Sequence, residues 1–135
     1  MDKKLTIDGR EISQDAPAYI IAEMSANHLM DKGRAMRIVE AAAEAGADAI
    51  KLQTYTADTI TIDCDNEYFQ IKQGTIWDGA TLHKLYQEAY TPWEWQADLM
   101  AHAKECGIAC FSSPFDPTAV DFLESIGCPA YKVAS

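Results

Sequence analysis

The fold of this chain is decided by the stretch Gly46-Ala47-Asp48-Ala49-Ile50-Lys51-Leu52-Gln53-Thr54-Tyr55. An alanine-rich helical segment ends at Gly46. The short apolar segment that follows predicts a buried strand, because strands covered on both faces are nearly continuous in apolar residues. That strand ends on Lys51 and Gln53 instead of aliphatic residues. Lysine is almost never fully buried without a partner, so Lys51 at a strand end indicates a side chain directed at an anion.

Length and composition indicate one soluble globular domain. The 135 residues carry a net charge of −10 and are 48% apolar, which argues against nucleic acid or an anionic membrane as partner. No apolar run reaches the ~18 residues of a membrane span. The polar start lacks the apolar core of a signal peptide, so we expect a cytoplasmic protein. Four cysteines without a CxxC pair favour free thiols over a zinc site.

Strand-like and helix-like segments alternate along the chain. Asp8-Gly9 between two short β-prone runs predicts a hairpin over residues 5–12. The periodicity and the helix-ending glycines then predict strands over 18–22, 47–52, 108–112 and 129–134, and helices over 31–45, 81–89, 92–106 and 117–126. Thr91, with Pro92 and Glu94 behind it, matches a helix-capping box.

This alternation predicts an α/β protein with four parallel strands preceded by a β-hairpin. Two architectures fit, a small doubly wound sheet and the N-terminal half of a TIM (β/α)8 barrel. We favour the half barrel, because full barrels need ~250 residues. The chain ends on Tyr131-Lys132-Val133-Ala134-Ser135 with no closing helix. We therefore expect the native protein to continue.

Polar side chains lie at or just past the end of each predicted strand. Parallel strands end at one edge, so we expect these residues to face one bowl: Glu23, Lys51, Gln53, Ser113, Lys132 and Ser135. Two lysines with hydroxyls suit a phosphate or carboxylate, and a glutamate suits acid–base work. Each residue alone is more typical of a solvated surface charge or a turn. Their shared position at four strand ends is what favours a site.

Residues outside this edge give weaker signals. The irregular stretch 54–80 is long for a loop and rich in aromatic residues, which favours a functional segment, with Trp77 and Asp78 as candidates for substrate contact. His28 is compatible with a metal ligand, an acid–base group or a histidine bonded to backbone. His83 and His102 fall on helical segments and are expected to be structural or exposed.

Four motifs in order resemble the sialic acid synthase family. They are Ile-Ile-Ala-Glu-Met-Ser-Ala-Asn-His at 20–28, Ala-Ile-Lys-Leu-Gln-Thr at 49–54, Phe-Ser-Ser-Pro-Phe at 111–115 and Pro-Ala-Tyr-Lys-Val-Ala-Ser at 129–135. The variants at 23–28, 74–79 and 88–95 are most similar to the pseudaminic acid synthase branch. The resemblance covers essentially the whole chain after the hairpin.

The resemblance implies an enzyme that condenses phosphoenolpyruvate with an N-acylated amino sugar and releases phosphate. The product would be a nine-carbon sialic-type acid, pseudaminic acid first and N-acetylneuraminic acid next. By position, Lys51, Ser113, Lys132 and Ser135 match residues that bind phosphoenolpyruvate. Glu23 matches an active-site carboxylate and Gln53 a contact to the sugar. We expect Tyr55 and Asp78 to contact the sugar as well.

The resemblance also implies parts that these residues do not supply. The family's Mn²⁺ or Mg²⁺ is held by two histidines in the second half of the barrel, and a C-terminal antifreeze-like domain serves a homodimer. Residues 1–135 would then be the N-terminal part of the catalytic barrel and inactive alone. Two alternatives remain open. One is another phosphate-handling barrel, such as an aldolase with Lys51 or Lys132 as Schiff-base lysine. The other is a non-catalytic half-barrel binding module.

Overall fold

A computed structural model describes residues 4–134 of the protein. The elements follow the alternating order expected from the sequence. They are β1 Leu5–Ile7, β2 Arg10–Ile12, β3 Ile21–Glu23, α1 Lys32–Glu44, β4 Ala49–Thr54, α2 Ala57–Ile60, α3 Leu82–Glu88, α4 Trp93–Glu105, β5 Ala109–Pro114 and α5 Pro117–Ser125. No helix among these residues is long and apolar enough to cross a membrane.

The central sheet is parallel and has the order β3-β4-β5. Glu23 lies opposite Lys51, and Gln53 lies opposite Ser113. The carboxyl ends of the three strands therefore meet at one edge. This arrangement is consistent with part of an α/β barrel and confirms the parallel architecture predicted from the sequence.

The fourth predicted strand, residues 129–134, is reduced to a single contact. Tyr131 forms one parallel bridge with Ser112, and the Lys132 N–H donates to the Ser112 carbonyl oxygen at 3.0 Å. Pro129 has no N–H to donate, and the Cys128 thiol donates to the Ala130 carbonyl at 3.1 Å. The described residues thus form three parallel strands and a bridge, not four strands.

The helices cover one side of the sheet. Ile50 and Leu52 of β4 pack there against Val39 of α1 and against Leu99 and Ala103 of α4, all fully buried. Alanines on both helices let the backbones approach the sheet closely. This side holds the larger of the two hydrophobic clusters of the described residues, and it determines which residues of β3, β4 and β5 face the helices.

The hairpin covers the amino end of the opposite side. Asp8 and Gly9 both have positive φ, 47° and 81°, as a two-residue type I′ turn requires, so the hairpin prediction is confirmed. Ile7 packs on the cluster formed by Ala49, Ala109 and Phe111. Arg10 pairs with Asp48, whose carboxylate also accepts from the Ile20 N–H at 2.7 Å.

Three long helices end in the same way, as the glycines in the sequence predict. Gly46, Gly107 and Gly127 follow α1, α4 and α5 with positive φ, and the next N–H of each returns to the last turn. Asp116 caps α5 as expected. The capping box at Thr91 is wrong. The N-cap of α4 is Pro92, whose side chain has no hydrogen-bond acceptor, and the Thr91 hydroxyl is bonded to His28 instead.

Candidate active site

Four polar side chains share the side of the sheet that faces away from the helices. Residues two apart in a strand lie on one face, and so do paired residues of parallel neighbours. Glu23 and Lys51 are therefore neighbours on this side. Gln53 and Ser113 are neighbours one step closer to the carboxyl edge. The convergence expected from the strand ends is present for these four residues.

The centre of this group is an ion pair between β3 and β4. Lys51 Nζ donates to Glu23 Oε1 at 2.5 Å. The lysine side chain is only 13% exposed, whereas the glutamate side chain is 62% exposed. The hydrogen bond and charge of Lys51 lower the pKa of Glu23 from its ordinary value, with a smaller contribution from the charge of Lys132. Both ammonium groups thus act on the same carboxylate.

Lys132 reaches the group through its backbone. Its N–H donates to the Ser112 carbonyl oxygen. Tyr131 is paired with Ser112, so the next residue of each segment, Lys132 and Ser113, lies on the other side of the sheet. Ser113 is 3% exposed, and Lys132 is exposed. Ser135, the fourth residue expected to bind phosphoenolpyruvate, lies outside the described residues. Two cations beside a hydroxyl and an amide can hold a phosphate or carboxylate.

Tyr55 follows directly after β4 but is held in packing. It is 4% exposed, its hydroxyl donates to the Ala89 carbonyl oxygen, and burial raises its pKa to about 12. The rings of Tyr86 and Phe115 meet it edge-on, with centroids 5.4 and 5.3 Å away. Its contact with a sugar stays a prediction.

Asp78 organises the long segment between α2 and α3. Its carboxylate accepts from the backbone N–H groups of Thr75, Gly74 and Gln73 at 3.0, 3.0 and 3.1 Å. These bonds, that of Thr75 first, lower its pKa. The neighbouring Trp77 lines a cavity of about 400 Å³. The carboxylate is thus occupied by its own loop, and its role in sugar binding also stays a prediction.

His28 is fully buried, and its two ring nitrogens are both bonded. Nδ1 accepts from the Met30 N–H at 3.1 Å, so Nε2 carries the proton and donates to Thr91 Oγ1 at 3.0 Å. Burial lowers the pKa of His28, which favours the neutral ring. Of the three readings of His28, the structure therefore supports the histidine bonded to backbone.

The other two histidines are paired with carboxylates. His83 is buried, with Asp58 at 2.8 Å, and His102 lies 2.9 Å from Glu40. Within residues 4–134, no three His, Cys, Asp or Glu side chains are placed to hold a metal ion. The described residues therefore supply no site for the divalent ion, whose ligands the family resemblance places in the second half of the barrel.

Sequence reasoning missed a buried polar cluster on the helix side of the same strand ends. Thr54 and Ser112 are bonded to each other, and Thr54 is bonded to Gln96 of α4. All three are fully buried. One signal was available in the sequence: Gln96 stands at the helical spacing of Leu99 and Ala103, where an apolar residue is the norm.

Comparison with known proteins agrees with this fold. The model of the NeuB family matches residues 38–135. The chain is 48% identical over 121 residues to a pseudaminic acid synthase of Campylobacter jejuni, covering 90% of this chain and 35% of that protein. It is 47% identical over 119 residues to the pseudaminic acid synthase of Helicobacter pylori, covering 88% and 35%.

A solved structure is similar over nearly the whole chain. It is the N-acetylneuraminic acid synthetase from Leptospira borgpetersenii in complex with citrate, with a TM-score of 0.80 and 26% identity. The match covers 98% of this chain and 41% of that one. The chain spans about a third of the length of the curated relatives described above. On the family match and these likenesses, the chain belongs to the NeuB family.

Proposed function

We propose that this chain provides the phosphoenolpyruvate-binding part of a sialic-type acid synthase. The enzyme would join phosphoenolpyruvate to an N-acylated amino sugar, with pseudaminic acid as the first candidate product and N-acetylneuraminic acid as the next. The synthase names of the relatives support the reaction class. The observation that carries the proposal is the Lys51–Glu23 pair, with Lys132 acting on the same carboxylate.

Each residue has a defined task in this proposal. Lys51 and Lys132 offset the charges of the phosphate and carboxylate, while Ser113 donates a hydrogen bond to the same ligand. Gln53, beside Ser113, orients the sugar. Glu23 releases Lys51 when the anion arrives and accepts a hydrogen bond from a substrate hydroxyl.

Holding the two substrates in line is the main contribution of such a site. The enol carbon then forms the new C–C bond to the aldehyde carbon of the open-chain sugar. Water adds to the cationic carbon that results, and phosphate leaves with the bridging oxygen.

Further properties of the enzyme that carries this chain belong to the same proposal. We expect a homodimer in the cytoplasm that requires Mn²⁺ or Mg²⁺. Size-exclusion chromatography and activity after chelation test the dimer and the metal, using the protein as its gene encodes it. A monomer that stays fully active after chelation would contradict both.

Calorimetric titration with phosphoenolpyruvate tests the binding site. Lys51→Ala removes a largely buried cation that would pair with the bound anion, and it should weaken binding about 100-fold, since truncating one partner of a buried charge pair across an interface costs about 2–5 kcal/mol. Lys104→Ala, which removes an exposed lysine near the end of α4, is the matched control and should bind as the wild type. Equal affinities for all three proteins would remove Lys51 from the site.

A further inference from the structure

A short hydrogen-bond chain crosses from β5 to α4 behind the candidate site. Thr54 Oγ1 donates to Gln96 Oε1 at 2.7 Å and lies 2.6 Å from Ser112 Oγ. A threonine hydroxyl has one proton, which goes to Gln96, so Ser112 is the donor to Thr54. The bonds therefore run in one direction, from Ser112 through Thr54 to Gln96.

The amide nitrogen of Gln96 continues the chain to the backbone. It donates to the Thr91 carbonyl at 3.4 Å and to the Gln53 carbonyl at 3.5 Å. Every buried side-chain nitrogen and oxygen of the described residues has a hydrogen-bond partner, so this network is complete. One glutamine thus joins the start of α4 to the carboxyl end of β4.

The anchors of the network are adjacent in sequence to residues of the site. Thr54 follows Gln53, and Ser112 precedes Ser113, so the members of each couple point to opposite sides of the sheet. The Ser112 carbonyl also accepts from the Lys132 N–H at 3.0 Å. A shift of the network would move Gln53, Ser113 and Lys132 together.

The backbone ladder between β4 and β5 ends at the pair Thr54 and Pro114, beside this network. Beyond the strand ends, the backbone bond between these two segments runs from the Phe115 N–H to the Thr54 carbonyl at 3.3 Å, longer than the usual 2.9–3.0 Å. The side-chain bonds beside it are 2.6 and 2.7 Å. Hydrogen bonds are directional, whereas apolar packing tolerates sliding.

We propose that Ser112, Thr54 and Gln96 are positioning residues, which fix the carboxyl ends of β4 and β5 so that Gln53 and Ser113 meet the ligand beside Lys51. This inference rests on the proposed function. In this inference the network contributes to ligand affinity as well as to the stability of the fold. A purely structural role would change unfolding and leave the affinity of the folded protein unaltered.

The test compares Thr54→Val with Thr54→Ser by calorimetric titration with phosphoenolpyruvate, well below the melting temperature of each variant. Valine keeps the volume and loses the hydroxyl, so binding should weaken about tenfold, which is the order of the net contribution of one hydrogen bond. Serine restores the bonds and should bind as the wild type. Leu99→Ala is the control, because it weakens the packing of the same helix on the same sheet without touching the network.

Ser112→Ala provides the second variant if Thr54→Val does not fold. It removes the first donor, keeps the bond from Thr54 to Gln96 and should weaken binding several-fold. Wild-type affinity in the folded hydroxyl variants, with Lys51→Ala impaired, would overturn the positioning role alone. Wild-type affinity in Lys51→Ala as well would overturn the proposed function. Equal losses of affinity in Leu99→Ala and Thr54→Val would show that stability explains the effect.

Discussion

The two sides of the sheet differ at the carboxyl ends of the same strands. On the helix side, Thr54, Ser112 and Gln96 are fully buried and satisfy one another. On the other side, Lys51 meets Glu23 at 2.5 Å, but the glutamate is 62% exposed. The comparison teaches that neighbouring residues of one strand can have different roles. Those on the helix side stabilise the fold, and those on the other side are available to a ligand.

The physical reason for this difference is the cost of separating each pair. A buried polar group without a partner costs about 1–3 kcal/mol, so the network of the helix side stays closed. An ion pair at the surface contributes about 0–1 kcal/mol, and here water reaches the exposed carboxylate of Glu23 easily. An incoming anion can therefore displace Glu23 from Lys51 at a small cost in free energy.

The largest expected effect that tests this contrast is on the helix side. Gln96→Leu leaves the Thr54 hydroxyl and two carbonyl groups without their partner, and the free energy of unfolding should fall by about 2–4 kcal/mol. Urea unfolding measures the change. Ala101→Leu, at an exposed position of the same helix, should change it by less than about 0.5 kcal/mol. Similar values for the two variants would break the contrast.

A milder change on the other side should act on ligands instead of stability. Glu23→Gln removes the charge that competes with an anion for Lys51, so inorganic phosphate should bind several-fold more tightly. The free energy of unfolding should change by less than about 1 kcal/mol. Calorimetry and urea unfolding give the two numbers. A large loss of stability would mean that this pair is structural, like the network behind it.

The pH dependence of the same pair should be small. Because the folded pKa of Glu23 lies below its ordinary value of 4.5, the stability from the pair is present above that value and is lost as the pH falls through the lowered pKa. The difference in unfolding free energy between wild type and Glu23→Gln should stay constant at neutral pH and shrink in acid. A difference that grows in acid would contradict the sign.

Asp78 offers the smallest expected effect on the anion site. Asp78→Asn weakens the bonds to three loop N–H groups, so limited proteolysis should cut residues 73–78 faster. Phosphoenolpyruvate affinity should not change. The affinity for the acceptor sugar decides whether Asp78 has the sugar contact expected from the sequence, because a loop role alone leaves that affinity unchanged once the loop is folded.

Local signals made much of the fold predictable. The glycines after α1, α4 and α5 and the cap Asp116 act within one helical turn, so the sequence contains all that determines them. The meeting of Glu23 and Lys51 was also predictable, because parallel strands end at one edge. Each of these inferences needs only the periodicity of apolar residues in the sequence and the parallel direction of the strands.

Long-range polar contacts were not predictable in the same way. Thr91 has the local pattern of a helix cap, but its hydroxyl is bonded to His28, 63 residues away. Gln96 is bonded to Thr54, which lies 42 residues away in the sequence, and no local sequence pattern predicts that contact. The predicted last strand is a single bridge at Tyr131, and its first residue, Pro129, has no N–H to donate to a neighbouring strand.

The low exposure of the Lys51 side chain has an entropic consequence. A long side chain that becomes ordered when a ligand binds loses about 0.5–1.5 kcal/mol of rotamer freedom. Lys51 is only 13% exposed and already held by Glu23, so much of that loss occurs when the protein folds. Less of the attraction between Lys51 and an anion is then offset by the loss of side-chain entropy on binding, and the affinity is correspondingly higher.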